Sequence, residues 1–596
     1  MKSEQATLIP ETGFSEEQPH FLALAQNPHD ATACLALGRL YTVHKIWSGA
    51  LFFLMRAQQL QPQCAETADA IGRLYLEQHS WQAAIEAFGQ AAALDPSHPV
   101  YLGNRAFCYR QLKRYAEAVA DYRRVVQMDP AMGQTLGQVL LEQGADIFEQ
   151  KLYDQAVELL QEAESLIPHQ IEVPWRLARA LVKCGHLPEA AKAYQRVLTL
   201  NPKLAEIHHA LGTTLAQDKS LAQQATHHLR QALILSEGKS GALISLATHL
   251  MSNVEAELDD EAAQLYEQAL KQWPDHAFVQ YSLGCVRLLQ GAYEEGWSLY
   301  ESRFKATQTQ THHYMEQQPP DAPLWQGEPL KGKTLLIAGE QGFGDQLQMA
   351  RLLAPLKKRC KCKLAVVTHP ALSALFEQMP VVDKVWLLDH APATGYDYWL
   401  PIMSLPHRLK VSLNKIPGQV PYLYPKTTTV KQWKKHLKGV RGKKVGLVWT
   451  GNPMFMKAMH KRVPLEELTS WGEIEGLTFI SLQKDPMVGD EQTPLWHKMQ
   501  HDEAHLHSFH DTAALIKNLD LVITIDTAVA HLAGGLGVPV WMMAYCKADF
   551  RWLKDRKDSP WYPTMQIFRG VRFANPWENV IEEVAQALRE WVKLKP

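Results

Sequence analysis

Two stretches of the chain combine residue types that can handle an anionic, activated substrate. In LVITIDTAVAHLAGGLGVPVW (521–541), apolar β-formers from Leu521 to Ile525 stop at Asp526-Thr527. An apolar run of 3.6-residue period carrying His531 follows, and Gly534, Gly535, Gly537 and Pro539 close it around a second β-rich run, Val538 to Met543. The pattern predicts strand, loop, helix, strand. A strand ending at an Asp/Thr cap that opens a helix presents backbone N–H groups and the positive end of a helix dipole at the carboxyl edge of a sheet, where open α/β folds bind phosphates. His531 lies one turn past Thr527, on the same face of the helix; a buried core histidine is the competing use of that residue. In GEQGFGDQLQMARLL (339–353), Gly339, Gly342 and Gly344 permit a tight loop into a helix. Neither GK[ST] nor G-x-G-x-x-G is present, so neither a P-loop nor a dinucleotide fingerprint is indicated. The loop sets Asp345 at a strand's carboxyl edge, where a carboxylate suits a general base or caps the helix.

The elements that must position these residues read as alternating βα units. Short β-rich runs at 334–339, 364–369, 384–389 and 398–402 form one series, and runs at 445–450, 477–483, 521–526, 538–544 and 565–569 a second, after a basic, turn-rich stretch. Alternation of this kind means parallel sheets, and two series mean two doubly wound domains. An amphipathic helix from Trp577 to Lys593 closes the chain. Thr527 to Cys546 lacks Asp, Glu, Lys and Arg, but three glycines, a proline and a histidine inside it argue against a membrane span.

The first half repeats itself. Pro28, Pro62, Pro96 and Pro130 are each 34 apart, Pro168 follows after 38 and Pro202 after 34. Twelve residues before each proline from Pro62 onward stands an alanine: Ala50, Ala84, Ala118, Ala156 and Ala190. Twelve residues earlier again stands a small residue (Gly38, Gly72, Ala106, Gly144, Ala178), and four after each alanine a bulky one (Leu54, Phe88, Tyr122, Leu160, Tyr194). Small residues let two antiparallel helices approach closely, the bulky one fills the groove, and proline ends the second helix. LSEG (235–238) lacks the proline, and 282–304 reads as the last unit. From Thr307 to Pro329 the periodicity lapses into Gln, His, Pro and Gly, a linker.

The repeats resemble the tetratricopeptide repeat family over residues 20–310, whose usual role is to hold a peptide or protein; support of oligomerisation is the other use of such an array. With Asp345 at one edge and Asp526-Thr527-x3-His531-Leu-Ala at the other, the second half resembles the GT-B glycosyltransferases of the ADP-heptose:lipopolysaccharide heptosyltransferase family. It is closer still to the bacterial proteins in which tetratricopeptide repeats precede such a domain. The matching text includes VGLVWTGNP, KRVPLEEL, FISLQKDP, DTAALIKNLDLVITIDTAVAHLAGGLGVPVW and DFRWLKDRKDSPWYPT. The resemblance implies a linker at 311–329, an acceptor-side Rossmann-like domain at 330–440, a nucleotide-sugar domain at 441–596, and no metal or cofactor. By position, Asp345 matches the base that deprotonates an acceptor hydroxyl, with Gly342 and Gly344 in its acceptor-side loop, and Lys461 the cation near the diphosphate. Thr450, Gly451 and Asn452 match phosphate-facing residues, Gln483 and Lys484 the base and ribose side. Asp526 matches a sugar contact, and Thr527, Ala528 and His531 diphosphate contacts. The run MFMKAMHKRVP departs from the relatives, keeping His460, Lys461 and Arg462 but losing an Asn-Asp-Arg. The array also resembles that of O-linked N-acetylglucosamine transferases, yet their row of asparagines is replaced by Ala36, Ala70, Asn104, Glu142, Arg176 and Ala210.

With 61 Lys plus Arg against 63 Asp plus Glu, no net charge draws the chain to nucleic acid. MKSEQATLIPETGF lacks a basic and then apolar leader, so the cytoplasm is expected. Eight scattered cysteines read as reduced thiols, the histidines at 497–510 as a solvated loop without metal, and the basic 431–444 run as an interdomain linker. The expectation is a metal-independent glycosyltransferase moving a sugar from a nucleotide-sugar to a protein held by the repeats. A glycan or lipopolysaccharide acceptor, or a scaffold that has lost activity, are the alternatives.

Overall fold

The computed structural model describes residues 16–252, 258–306, 321–390, 392, 394–451, 462–546, 549–570 and 577–594. Asn452 and Lys461 therefore lie outside the described residues. The chain divides into two units, Met1–Glu237 and Gly238–Pro596.

The first unit is a series of helical hairpins. After a helix at Gln18–Gln26, Ala31–Val43 pairs with Trp47–Leu60, Ala65–Glu77 with Trp81–Leu94, and Pro99–Gln111 with Tyr115–Met128. Gly133–Glu149 then pairs with Tyr153–Leu166, Glu172–Cys184 with Leu187–Leu200, and Ala205–Leu215 with Ala222–Leu235. The small residues stand where the sequence offsets require close approach: a Cβ on Gly38 would lie 2.5 Å from Leu54, on Gly72 2.6 Å from Phe88, and on Gly144 2.9 Å from Leu160. Proline ends the second helices by forcing its predecessor into extended backbone, as at Asp129 (φ −135°, ψ 94°) and Asn201 (φ −147°, ψ 100°). Successive hairpins are also tied by side-chain hydrogen bonds at a separation of 32 residues: Gln58 to Gln90, Arg114 to Gln82, Arg110 to Glu142, Gln170 to Gln138 and Arg196 to Glu164. At the positions equivalent to that asparagine row, the polar residues are satisfied internally: Asn104 donates to Asp69, Glu142 takes Arg110, and Arg176 pairs with Glu172.

The second unit begins with two further hairpins, Ser240–Ser252 with Asp259–Gln272 and Ala277–Leu289 with Tyr293–Tyr300. Two parallel sheets follow. β1 (Thr334–Ala338), β2 (Lys363–Thr368), β3 (Lys384–Leu387) and β4 (Tyr398–Pro401) order as β3-β2-β1-β4. β5 (Lys443–Val448), β6 (Leu477–Ser481), β7 (Leu521–Ile525), β8 (Val540–Ala544) and β9 (Met565–Arg569) order as β6-β5-β7-β8-β9. Every pairing between these strands is parallel. β7 is buried along its whole length, which its five consecutive apolar or β-branched residues permit and a parallel sheet covered on both faces demands. One core runs from Tyr293, Trp297 and Tyr300 of the last hairpin through the first sheet to one face of the second. The helix Glu578–Lys593 covers the other face of the second sheet.

Strand order reverses between β1 and β4 in the first sheet and between β5 and β7 in the second, and the carboxyl ends of strands at such a reversal are where open α/β sheets form a ligand crevice. The loops after β1 and β7 are 339–342 and 526–527, and 449–451 are the described residues that follow β5. All eight cysteines are free thiols, and no described helix is long and apolar enough to cross a membrane.

Candidate functional site

The loop after β1 is fastened from the last hairpin. Arg303, fully buried, donates to Glu340 through Nη2 (2.8 Å) and Nε (3.1 Å), and Glu340 also accepts the Met403 N–H at 2.9 Å. Burial opposes the Arg303 charge, but Glu340 and Glu301 outweigh it and hold the guanidinium above its ordinary range. Gln341 adopts left-handed backbone (φ 58°) and bonds the Tyr300 hydroxyl at 2.7 Å. These contacts hold the loop that starts the helix Phe343–Met349, on which Asp345 stands. Both Asp345 oxygens are engaged: Oδ2 accepts the Gly342 N–H at 2.9 Å, and Oδ1 accepts Arg551 Nε at 2.7 Å and Nη2 as well. The helix-capping use of Asp345 is thus realised, together with an ion pair that sequence reasoning did not foresee.

Arg551 belongs to the one-turn helix Phe550–Trp552 after β8 and also binds Asp549, with its guanidinium 4.3 Å from the Phe550 ring centre. Burial works against its charge, yet Asp345 and Asp549 together hold it well above the usual arginine value. The next residue, Trp552, stacks on His531 (4.8 Å between ring centres) and donates its indole N–H to Asp526 at 2.8 Å.

His531 is 3% exposed, and its Nδ1 shares a hydrogen bond of 2.8 Å with the Tyr562 hydroxyl. Burial, reinforced by the Arg551 charge and opposed by Asp526 and Asp345, lowers its pKa to about 4, so the ring is neutral at pH 7. Gly344 is what lets two helices meet here: a Cβ on it would stand 2.7 Å from His531 Cδ2 and 3.5 Å from the Ala528 Cα. The glycine therefore serves a helix-on-helix approach, between Phe343–Met349 and Ala528–Gly535.

One local expectation fails. The Thr527 side chain does not cap the helix Ala528–Gly535: its hydroxyl pairs with that of Thr524 at 3.1 Å, while Asp526 accepts from Trp552. That first turn follows directly on β7, at the strand-order reversal. Beside it, Thr450 is buried and Gly451 follows, and Gln483 holds this loop: its Oε1 accepts the N–H groups of Thr450 (3.1 Å) and Trp449 (3.3 Å), and its amide donates to the Asp485 carbonyl at 3.3 Å. Lys484 is exposed. In the histidine run His497, His505 and His507 are exposed, as a solvated loop requires, and the other two differ. His510 is internal, accepting the Lys426 N–H at 2.9 Å, and His501 is engaged by Glu503 and the Trp496 carbonyl. Among the described residues no group of three or more His, Cys, Asp or Glu is placed to hold a metal ion.

The fold thus brings together Asp345, Arg551, His531, Asp526 and a helix start from two sheets. Arg551, Asp549, Trp552 and Tyr562 escaped the sequence reading because DFRWLKDRKDSPWYPT has no spacing that assigns a role; its density of charged and aromatic residues was the available signal.

Tetratricopeptide-repeat family models match residues 70–132 and 260–303, and residues 148–213, and the chain carries these repeats. It is 26% identical over 513 residues to Protein FlbA of Caulobacter vibrioides, spanning 80% of this chain and 82% of that one. It is 27% identical over 206 residues to the human Protein O-mannosyl-transferase TMTC1, a distant similarity spanning 34% of this chain and 23% of the other. Among solved structures, the crystal structure of YrrB, a TPR protein with an unusual peptide-binding site, is 20% identical, covers 32% of this chain and 95% of its own, and superposes with a TM-score of 0.24. The FlbA alignment is longer than the whole run of hairpins and so extends into the α/β half.

Proposed function

We propose that the second unit is a glycosyltransferase of GT-B architecture, with its two sheets as facing lobes, acting in the cytoplasm on a polypeptide acceptor presented by the repeats. The observation that carries this reading is the meeting of Gly344 with His531, which sets the helix bearing Asp345 against the uncapped start of Ala528–Gly535. Asp345 takes the proton of an acceptor hydroxyl as that oxygen bonds the anomeric carbon of the donor sugar. The bond from that carbon to phosphate oxygen breaks, and the nucleoside diphosphate leaves. Its growing negative charge is met by N–H groups at the helix start, by Lys461 and by the loop at Thr450, Gly451 and Asn452. Neutral His531 contributes a hydrogen bond rather than charge. Asp526 holds the sugar, and Lys484 stands on the base and ribose side with Gln483 bracing the loop. This chemistry assigns no metal and no resident cofactor.

The test is a thermal-shift screen of the whole chain with ADP-, UDP-, GDP-, CMP- and dTDP-linked sugars. A donor at a hundred times its Kd adds about 2.7 kcal/mol to the fold it binds. One nucleotide class is expected to shift the protein and to lose its effect in Lys461→Ala. No shift with any of them overturns the proposal. A second reading, a repeat scaffold without turnover, draws on the engagement of both Asp345 oxygens; donor binding without sugar transfer to any protein would favour it.

A further inference from the structure

The guanidinium of Arg551 reaches from the β8–β9 connection of one lobe to the carboxylate of Asp345 in the other. Its Nε and Nη2 both converge on a single oxygen of Asp345, because Oδ2 is already given to the Gly342 N–H. A guanidinium fork binds best to two oxygens side by side, as phosphate offers and this geometry does not. The side chain is only 13% exposed, and it would keep Asp549 and the Phe550 ring as anchors after leaving Asp345. The same pair puts two cationic N–H donors on Oδ1, which weakens Asp345 as a base for as long as they stay.

Resting on the reading of this crevice as a nucleotide-sugar site, we infer that Arg551 is an exchangeable cation, holding Asp345 until the donor's diphosphate claims the guanidinium. One movement then supplies both things the transfer needs. The leaving diphosphate gains a bidentate cation, and the carboxylate is released to accept the acceptor's proton. Before the donor arrives the base is masked. Asp345 and the diphosphate are therefore rivals for Arg551, and removing the carboxylate's charge must strengthen anion binding.

The experiment is calorimetric titration of the full-length protein with inorganic pyrophosphate and with ADP, UDP and GDP, comparing wild type, Asp345→Asn, Asp549→Asn, Arg551→Gln and Arg551→Lys. Asp345→Asn is expected to bind about tenfold more tightly, the equivalent of one charge-assisted hydrogen bond no longer competing. Asp549→Asn should tighten binding in the same sense while its amide oxygen still serves the turn at Arg551. Arg551→Gln should bind about tenfold more weakly, with Arg551→Lys, which keeps the charge but loses the fork, in between. A merely structural ion pair would lower the melting temperature of all four variants and leave the anion affinities alone. If the wild type binds and Arg551→Gln binds equally well, or Asp345→Asn binds no more tightly, the exchange is overturned while the donor site stands. If the wild type binds none of these anions, the donor site and the exchange fall together.

Discussion

The hairpins before Glu237 and the unit after it are held together over different distances along the chain. In the hairpins, side chains bond partners 32 residues away, one repeat to the next. In the second unit the bonds that matter join residues 206 apart (Arg551 to Asp345), 210 apart (Arg351 to the Trp561 carbonyl) and 268 apart (Trp561 to the Tyr293 hydroxyl). The contrast teaches that damage to a repeat stays with its neighbours, whereas damage in the α/β half reaches every element meeting at the crevice.

The largest expected effect is on chemistry. If the proposed transferase reading holds, Asp345→Asn should reduce sugar transfer by about 10² to 10⁴ while donor binding persists, as for loss of a positioned base; transfer at the wild-type rate would remove Asp345 from that role. Next comes Arg351. It is buried, and it donates to the Gly418 carbonyl (3.1 and 2.9 Å) and the Trp561 carbonyl (2.5 Å) without a carboxylate partner among its hydrogen bonds. Arg351→Met leaves those carbonyls without donors, and we expect a loss of about 3 kcal/mol, read by urea denaturation as an early transition confined to the second unit.

Acid should sharpen the contrast. His531 is held neutral with a folded pKa of about 4, against 6.5 when unfolded, so the unfolded chain binds the extra proton between those values. Stability of the second unit should therefore fall as pH drops from 6.5 to 4, by up to about 3 kcal/mol, and level off below. His531→Gln should flatten that slope; an unchanged slope would show that another group is responsible.

Within the repeats, Gly72→Ala drives a methyl group into Phe88 and should cost about 1–3 kcal/mol. Phe88→Leu should restore part of it in a double-mutant cycle, and transfer activity should not follow the change in stability. Smallest of all, Arg196→Ala removes a half-exposed ion pair between adjacent hairpins and should cost no more than about 1 kcal/mol in thermal denaturation.

The hairpins were legible because each unit states its own packing rule: Gly38 with Leu54 and Gly72 with Phe88 are the same offset met twice, and periodicity averages over local exceptions. The nine strands were legible for a similar reason, since runs such as Leu521 to Ile525 are apolar enough to be buried on both faces whatever surrounds them. The site was legible only in outline. Asp345 and His531 stood out by their loops, but Thr527 was expected to cap a helix that it leaves uncapped, and Gln483, expected near a ligand, braces the backbone at Trp449 and Thr450.

By itself the sequence determined the elements, their parallel alternation and the repeat register, because these follow from spacing within tens of residues. Tertiary structure alone decided that Arg551 answers Asp345, that Gly344 makes room for His531, and that Trp552 takes Asp526. Each of those is a contact between side chains far apart in the chain, and no local period records which distant partner a buried charge or ring will meet.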